Sequence, residues 1–472
     1  MVNTLKRNTL LDACLNGNGN IFVEIRKLRK SRSTVANIID GEADNIPKHF
    51  ADIYSKLYNS VDDQNSLNSI SCFLNEKICP ISLEDAMKVT PALVRDAVIH
   101  LNSNKSDPTF QFTSDCLMNA PANLYEHLAT LFRFYLIHGH ISDILMLVTL
   151  LPLVKDKLGD ITSSDNYRSI AISSLVLKIV DWIIILLYGD RLQLDNLQFA
   201  YQPSCSTSMC TWMAVETIEY FLRNGSEVFT CVMDMTKAFD NVKHSMLFQK
   251  LIDKGIPGIY IRLLLVMYDK QHANVKWNGT LSESFPIKNG VKQGAVLSAI
   301  LYCVYVDGLF KTLRRQKSGC WINNEFYGIL GYADDLFLLS PTLDGLQDMV
   351  KTCGSFAKMH NLSFSTNSNP SKCKTKCMAF LKSERTFSNI KLNGVDLPWV
   401  TFSKHLGNRI DVIENGMCRD LMEKRASYIN RNNELLQEFH FAHPMTLVKI
   451  NNLFNTAFYG STLWNLFGKE AE

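Results

Sequence analysis

The sequence predicts an α+β fold built around a sheet of the split βαβ kind, and three stretches predict it. EVFTCVMDM (227–235) is a short, apolar, β-rich run that ends on an acid, and KHSMLFQKLIDKGIP behind it has helical spacing closed by Gly255 and Pro257. VLSAILYCVYVDGLFKTLRR (296–315) starts after the Gln293-Gly294 turn and ends in basic residues that suit a helix dipole. YGILGYADDLFLLS (327–340) reads as two apolar strands around Ala-Asp-Asp, a hairpin with carboxylates at its tip, and GLQDMVKTCGSFAKMHNL returns to helix. Strand, helix, helix, hairpin, helix, strand suits a split βαβ sheet with helices on one face, and such a sheet gathers acids that are distant in sequence.

Upstream, PALVRDAVIHL and NLYEHLATLFRFYLIHG carry apolar residues three and four apart, the second stopping at Gly139. VTLLPLVKD reads as a strand, and SDNYRSIAISS as a polar turn entering an extended apolar segment. AISSLVLKIVDWIIILLY (171–188) is the most apolar stretch, but Lys178 and Asp181 interrupt it, so it is expected to be a buried helix and not a membrane span. FADIYSKLY suggests a short helix near the N-terminus. The run RKLRKSR from Arg26 to Arg32 suits either a solvated helix face or a contact to nucleic-acid phosphates.

At 472 residues with 46% apolar content, the chain can bury two or three cores. With 49 Lys+Arg against 46 Asp+Glu the net charge is only +3, so nucleic-acid binding must come from local patches. Thirteen cysteines show no paired framework, and Cys373 and Cys377 lack partners at zinc spacing, which points to reduced intracellular thiols. No secretory signal is seen at the N-terminus.

The chemistry lies in Asp234, Asp334 and Asp335. Nucleotidyl transfer needs an activated 3′-hydroxyl and a neutralised triphosphate, and two Mg²⁺ ions do both, held by carboxylate oxygens. Clustered carboxylates repel one another and are stable mainly when cations occupy them. An Asp-Asp pair alone is weak: Asp62-Asp63 is read as a chance pair, and Asp334-Asp335 would also suit a hydrophilic turn.

Order and surroundings decide it. DMTKAFD (234–240), VKQGAVLSAILY (291–302) and GYADDLFLL (331–339) resemble the A, B and C motifs of reverse transcriptases of non-LTR (LINE-type) retrotransposons. LPLVKDKLGDITSSDNYRSIAISS resembles the preceding fingers motifs, NPSKCKTKCMAF with FSKHLG the D motif and primer grip, and AFYGSTLW a thumb segment. The resemblance runs from about residue 85 to the C-terminus.

It implies a right-hand polymerase: an N-terminal extension over 1–85, fingers and palm over 86–385, and a mostly helical partial thumb over 386–472. Asp234 and Asp334 would bind both metals, with Asp335 assisting the primer-side ion. Phe239 falls at the steric gate, where a ring under the sugar clashes with a 2′-hydroxyl; ordinary core packing is its other reading. Gln293 and Gly294 match the pair that lets template and nucleotide approach the backbone, and Lys155 and Arg168 the cations that grip the triphosphate. The D-motif lysine, a proton donor to pyrophosphate, is Lys374 or Lys372. Asp240 matches a structural position.

The implied activity is RNA-directed DNA synthesis with Mg²⁺ (Mn²⁺ as a substitute) and dNTPs, on an RNA template and a DNA primer or RNA–DNA hybrid, with no membrane. It implies an intracellular ribonucleoprotein of nucleus and cytoplasm. The alternative is a decayed or domesticated copy that binds RNA without polymerising. Four positions depart from the pattern: arginines expected near Gln202 and Cys205 are missing, and Ser169 and Ala299 stand where prolines are usual. No endonuclease pattern is visible.

Overall fold

The structure, a computed structural model, describes residues 36–448 except 62, 78–82, 157–158, 368–372, 384–385, 413–417 and 441–442. The basic run 26–32, Lys372, Asp62 and the thumb-like 457–464 segment lie outside the described residues. In chain order, helices α1 (Ile46–Tyr58), α2 (Gln64–Lys77), α3 (Pro91–Ile99) and α4 (Ala122–His138) lead to strands β1 (Leu147–Val154) and β2 (Tyr167–Ile172). Helices α5 (Leu175–Tyr188) and α6 (Thr207–Arg223) precede β3 (Val228–Asp234), and α7 (His244–Asp253) and α8 (Gly258–Asp269) precede β4 (His272–Trp277). Then come α9 (Val296–Gln316), the hairpin of β5 (Ile329–Tyr332) and β6 (Asp335–Ser340), α10 (Leu343–Met359) and β7 (Lys376–Phe380). A hairpin of β8 (Phe402–His405) and β9 (Asn408–Asp411) leads to α11 (Cys418–Glu438).

The central sheet has the order β7-β3-β6-β5, with all neighbours antiparallel. This is the split βαβ order that the sequence predicts. One detail differs: both faces are covered, not one. Alternate strand residues point to opposite faces, and every residue from Val228 to Met233 is buried. His405 and Cys210 reach the sheet beside Phe337, so β8 and α6 supply cover of their own.

A second sheet runs β2-β1-β4, with β1 and β2 antiparallel, β1 and β4 parallel, and Phe285–Pro286 also paired to β4. Helix α1 closes its face. Asn45 caps the helix by accepting from the Lys48 N–H, and Ile46, Phe50, Tyr54 and Tyr58 at four-residue spacing form the buried stripe. The Phe50 ring meets Tyr167 at 5.2 Å and Trp277 at 5.4 Å. Each such buried aromatic stabilises by roughly 1.5–3 kcal/mol.

The apolar 171–188 stretch forms α5 inside the main core, and Asp181 is buried there with it. Burial raises Asp181 to about 6. Helix α9 is long and apolar enough to cross a bilayer, but two-thirds of its most apolar window is buried in the protein. Asp63, read from the sequence as half of a chance pair, caps α7 from a distance, accepting from both the N–H and the hydroxyl of Ser245 at 2.6 Å.

Over its described residues the segment from 386 opens with strands before it turns helical. Lys391–Leu392 pairs with Val395–Asp396, and β8 pairs with β9, before helix resumes at Cys418. Asn393-Gly394 and Leu406-Gly407 adopt positive φ at both positions, the geometry of two-residue hairpin turns.

His244, His360 and His405 are each lowered to about 4, with burial the largest cause. The unfolded chain therefore binds more protons than the folded one between about pH 6.5 and 4, and stability from these histidines falls as pH drops through that window. Asp181, Asp240 and Asp335, raised to about 6, contribute stability that is full below their unfolded pKa and lost as pH rises, which opposes the histidines. His244→Gln keeps a donor for the Gly290 carbonyl, which His244 Nε2 meets at 2.7 Å, and removes one histidine from this balance. Against the parent, its denaturation midpoint is expected to improve steadily from pH 6.5 to 4, by at most ~1.4 kcal/mol per pH unit. A constant difference between the two chains over that range would refute the assignment.

Candidate active site

Strand pairing brings the three acids together. Asp234 ends β3, Asp335 begins β6, and the two are direct cross-strand partners; Asp334 precedes Asp335 in the hairpin turn. The turn is strained, since Ala333 has φ +58°, and a side chain the sequence reading missed holds it. Gln198, fully buried, accepts from the Ala333 N–H at 2.9 Å and the Ala200 N–H at 3.2 Å. Backbone bonds Phe199 N–H to Gly331 O and Gly331 N–H to Leu197 O complete the clamp. A Gln inside the apolar run LQFA was the available signal.

Burial raises the Asp335 carboxyl to about 6, with repulsion from Asp334 and then Asp234 adding to it. Asp334 is raised chiefly by burial, then by Asp234, while Arg168 and Lys374 pull it down. The Lys374 ammonium lies 3.6 Å from Asp234 Oδ2, so of the two D-motif candidates it is the one the described residues place beside the acids.

A cleft of about 300 Å³ opens on Asp234 and Asp334 and is lined by Lys155, Arg168, Lys237, Phe239, Gln293 and Lys374 among others. Four cations thus share one opening with the acids. Burial, followed by Lys237, Lys374 and Arg168, lowers the Lys155 pKa, and its ammonium donates to the Asp165 carbonyl at 2.8 Å. Arg168 is exposed on β2. Lys237 escaped the sequence reading because it is embedded in the A motif with no signal of its own.

The Phe239 ring lies flat on Tyr302, centroids 4.5 Å apart and planes at 19°. Tyr302 is fully buried and its hydroxyl reaches Met235 Sδ at 3.0 Å, so the stack has a fixed base. The Gln293 carbonyl accepts from the Ala171 N–H at 2.8 Å, joining this loop to β2. Gly294 has φ +107°, and a Cβ there would sit 3.2 Å from the Ala171 carbonyl. Gln202, where an arginine was expected, instead donates to the Asp195 and Gln198 carbonyls, and Cys205 packs half-buried against the core. Ala299 lies in the first turn of α9.

Gly290 is a further residue the sequence reading passed over. Its φ is +89°, and a Cβ would lie 2.7 Å from the Asp240 carbonyl oxygen. Gly290→Ala is expected to destabilise by roughly 2–5 kcal/mol, from left-handed strain plus backbone overlap. Chemical denaturation reads this directly, and a change below about 1 kcal/mol would mean the 239–242 turn yields easily.

The family model for reverse transcriptase (RNA-dependent DNA polymerase) matches residues 155–405, more than half of the chain. The chain belongs to the reverse transcriptase family. Its curated relatives are proteins of non-LTR retrotransposable elements, so this is a reverse transcriptase domain of the non-LTR type. The Pol polyprotein of the type-2 element R2DM of Drosophila melanogaster is 27% identical over 44% of this chain and 19% of that protein. The Pol polyprotein of an R2 element of Popillia japonica is 26% identical over 49% of this chain and 32% of that protein. The probable RNA-directed DNA polymerase of the transposon X-element of D. melanogaster is 23% identical over 52% and 27%. The chain therefore spans a third or less of the length of these reverse transcriptase relatives.

A reverse transcriptase domain depends on divalent metal. The donor set fits one: three hard carboxylates whose mutual repulsion a cation would relieve. Among the described residues no three His, Cys, Asp or Glu side chains are close enough to enclose an ion by themselves. Magnesium is commonly bound by one or two carboxylates completed by water and substrate phosphates, so this is no obstacle.

Proposed function

We propose that the chain is the polymerase unit of a LINE-type retroelement, extending a DNA 3′-hydroxyl on an RNA template with two Mg²⁺ ions. The observation that carries this is the register of Asp234 opposite Asp335, with Asp334 in the adjoining turn, on a cleft that four cations share. Asp234, Asp334 and Asp335 would hold the ions, which when bound supply charge neutralisation and an activated hydroxyl.

The chain's own residues do the remainder. Lys155, Arg168 and Lys237 face the triphosphate, Arg168 being able to grip it bidentately. Lys374, next to Asp234, is placed to give a proton to the leaving pyrophosphate. Phe239 floors the sugar, and the Gln293-Gly294 backbone borders base and template. In hand terms, β7-β3-β6-β5 is the palm, β2-β1-β4 the fingers, and the segment from 386 the thumb. The 1–85 extension lends α1 to the fingers sheet.

The test is primer extension on poly(rA) with an oligo(dT) primer and dTTP, with Mg²⁺ present, chelated and restored. Extension that follows the metal supports the reading. A folded chain that binds the primed template yet adds no nucleotide would favour the decayed, binding-only alternative.

A further inference from the structure

Three segments of the cleft meet at a single hydroxyl outside the motifs. Tyr58, the last residue of α1, donates to Asp240 Oδ1 at 2.8 Å and lies 2.8 Å from Ser169 Oγ. Tyr58 has one hydroxyl proton, and Asp240 as a carboxylate can only accept, so Ser169 donates to the Tyr58 oxygen. Tyr58, Ser169 and Asp240 are 4%, 4% and 6% exposed, so water does not substitute for either bond. Ser169 follows Arg168 and turns inward where Arg168 turns out, and Asp240 follows Phe239.

The backbone repeats the arrangement. The Tyr58 carbonyl accepts from the N–H groups of Lys288 and Asn289, and the Asn289 amide donates to Leu57 O at 3.0 Å and Asp240 O at 2.8 Å. The Val291 N–H bonds the Phe239 carbonyl, two residues before Gln293.

We propose that Tyr58 is a positioning residue for the incoming nucleotide. Its hydroxyl ties the strand that carries Arg168 to the turn that carries Phe239, fixing the spacing between triphosphate grip and sugar floor. This rests on the polymerase reading above. The serine standing at position 169, where the family pattern has a proline, is what makes the link: a proline offers no hydroxyl. Helix α1 is anchored independently by Ile46, Phe50 and Tyr54, so Tyr58→Phe removes the link without removing the helix.

For Tyr58→Phe, KM for dNTP is expected to rise about tenfold, the size for losing a buried hydrogen bond whose acceptor stays behind. The kcat value should change little, and discrimination against ribonucleotides should fall. Ser169→Ala should show a smaller effect of the same kind, and the double variant should be no worse than Tyr58→Phe alone, since both act through one chain of bonds.

A second measurement needs no chemistry: the Kd of the next correct dNTP, with Mg²⁺, for the chain on an RNA template with a dideoxy-terminated primer. It should weaken by the same factor in Tyr58→Phe. Unchanged Kd and unchanged discrimination, or additive effects in the double variant, overturn the proposal. A parent that binds dNTP but never extends the primer overturns the polymerase reading while the Kd comparison still decides the role of Tyr58. A parent that binds no dNTP overturns both.

Discussion

Asp334→Asn is expected to cut primer extension by about a thousandfold or more while leaving the protein slightly more stable. On the proposed reading Asp334 is a metal ligand, and the charge stabilisation lost with it would be worth several kcal/mol, each 1.4 kcal/mol being tenfold in rate. The stability gain follows from the acids themselves. Asp334 is a main source of the repulsion on Asp335, second only to burial, and Asn relieves it with little change in shape. The group is partly open to solvent, so the gain is at most ~1 kcal/mol, about 2 °C in melting temperature without added metal. Excess Mg²⁺ should shrink or reverse the difference, because the parent binds the ion better. A variant that melts lower than the parent in chelator, or that still extends primers well, would show that Asp334 is a structural turn residue.

The second large effect concerns sugar choice. Phe239→Ala should raise incorporation of ribonucleotides relative to deoxyribonucleotides by about a hundredfold, the range by which a site rejects a substrate carrying one added hydroxyl. The ring can act as a gate because Tyr302 backs it at 4.5 Å and is itself immobilised by full burial. Competition between UTP and dTTP on the same poly(rA) template measures it. Equal discrimination in parent and variant would reduce Phe239 to a packing residue for Tyr302.

The strands and helices of the central sheet were legible because their periodicities are strong and their ends are marked by acids, glycines and prolines. EVFTCVMDM and the Ala-Asp-Asp hairpin announce themselves locally. The acids could also be grouped from sequence, since a split βαβ order dictates that β3 and β6 are neighbours. What escaped notice acts over long separations. Tyr58 meets partners 111 and 182 positions away, Gln198 serves a turn 135 positions on, and Asp63 caps a helix 182 positions on. Each is an ordinary polar residue whose task exists only after folding. The Asn393-Gly394 hairpin is a different lapse: the dipeptide is a strong turn signal, and the thumb resemblance overrode it.

The parallel pairing of β1 with β4 and the seating of α1 upon them also set an order of events during synthesis. Helix α1 is translated early, yet the last of its partners, Asn289, emerges some 230 residues after Tyr58. At about 5–20 residues per second this is a delay of roughly 10 to 50 s. Through it the stripe of Ile46, Phe50, Tyr54 and Tyr58 has only part of its cover, since Val148, Leu150 and Tyr167 are made before β4 with Ala273, Val275 and Trp277. The helix that closes the second sheet thus waits on strands made much later, and lower growth temperature or holdase co-expression is expected to raise the yield of folded protein.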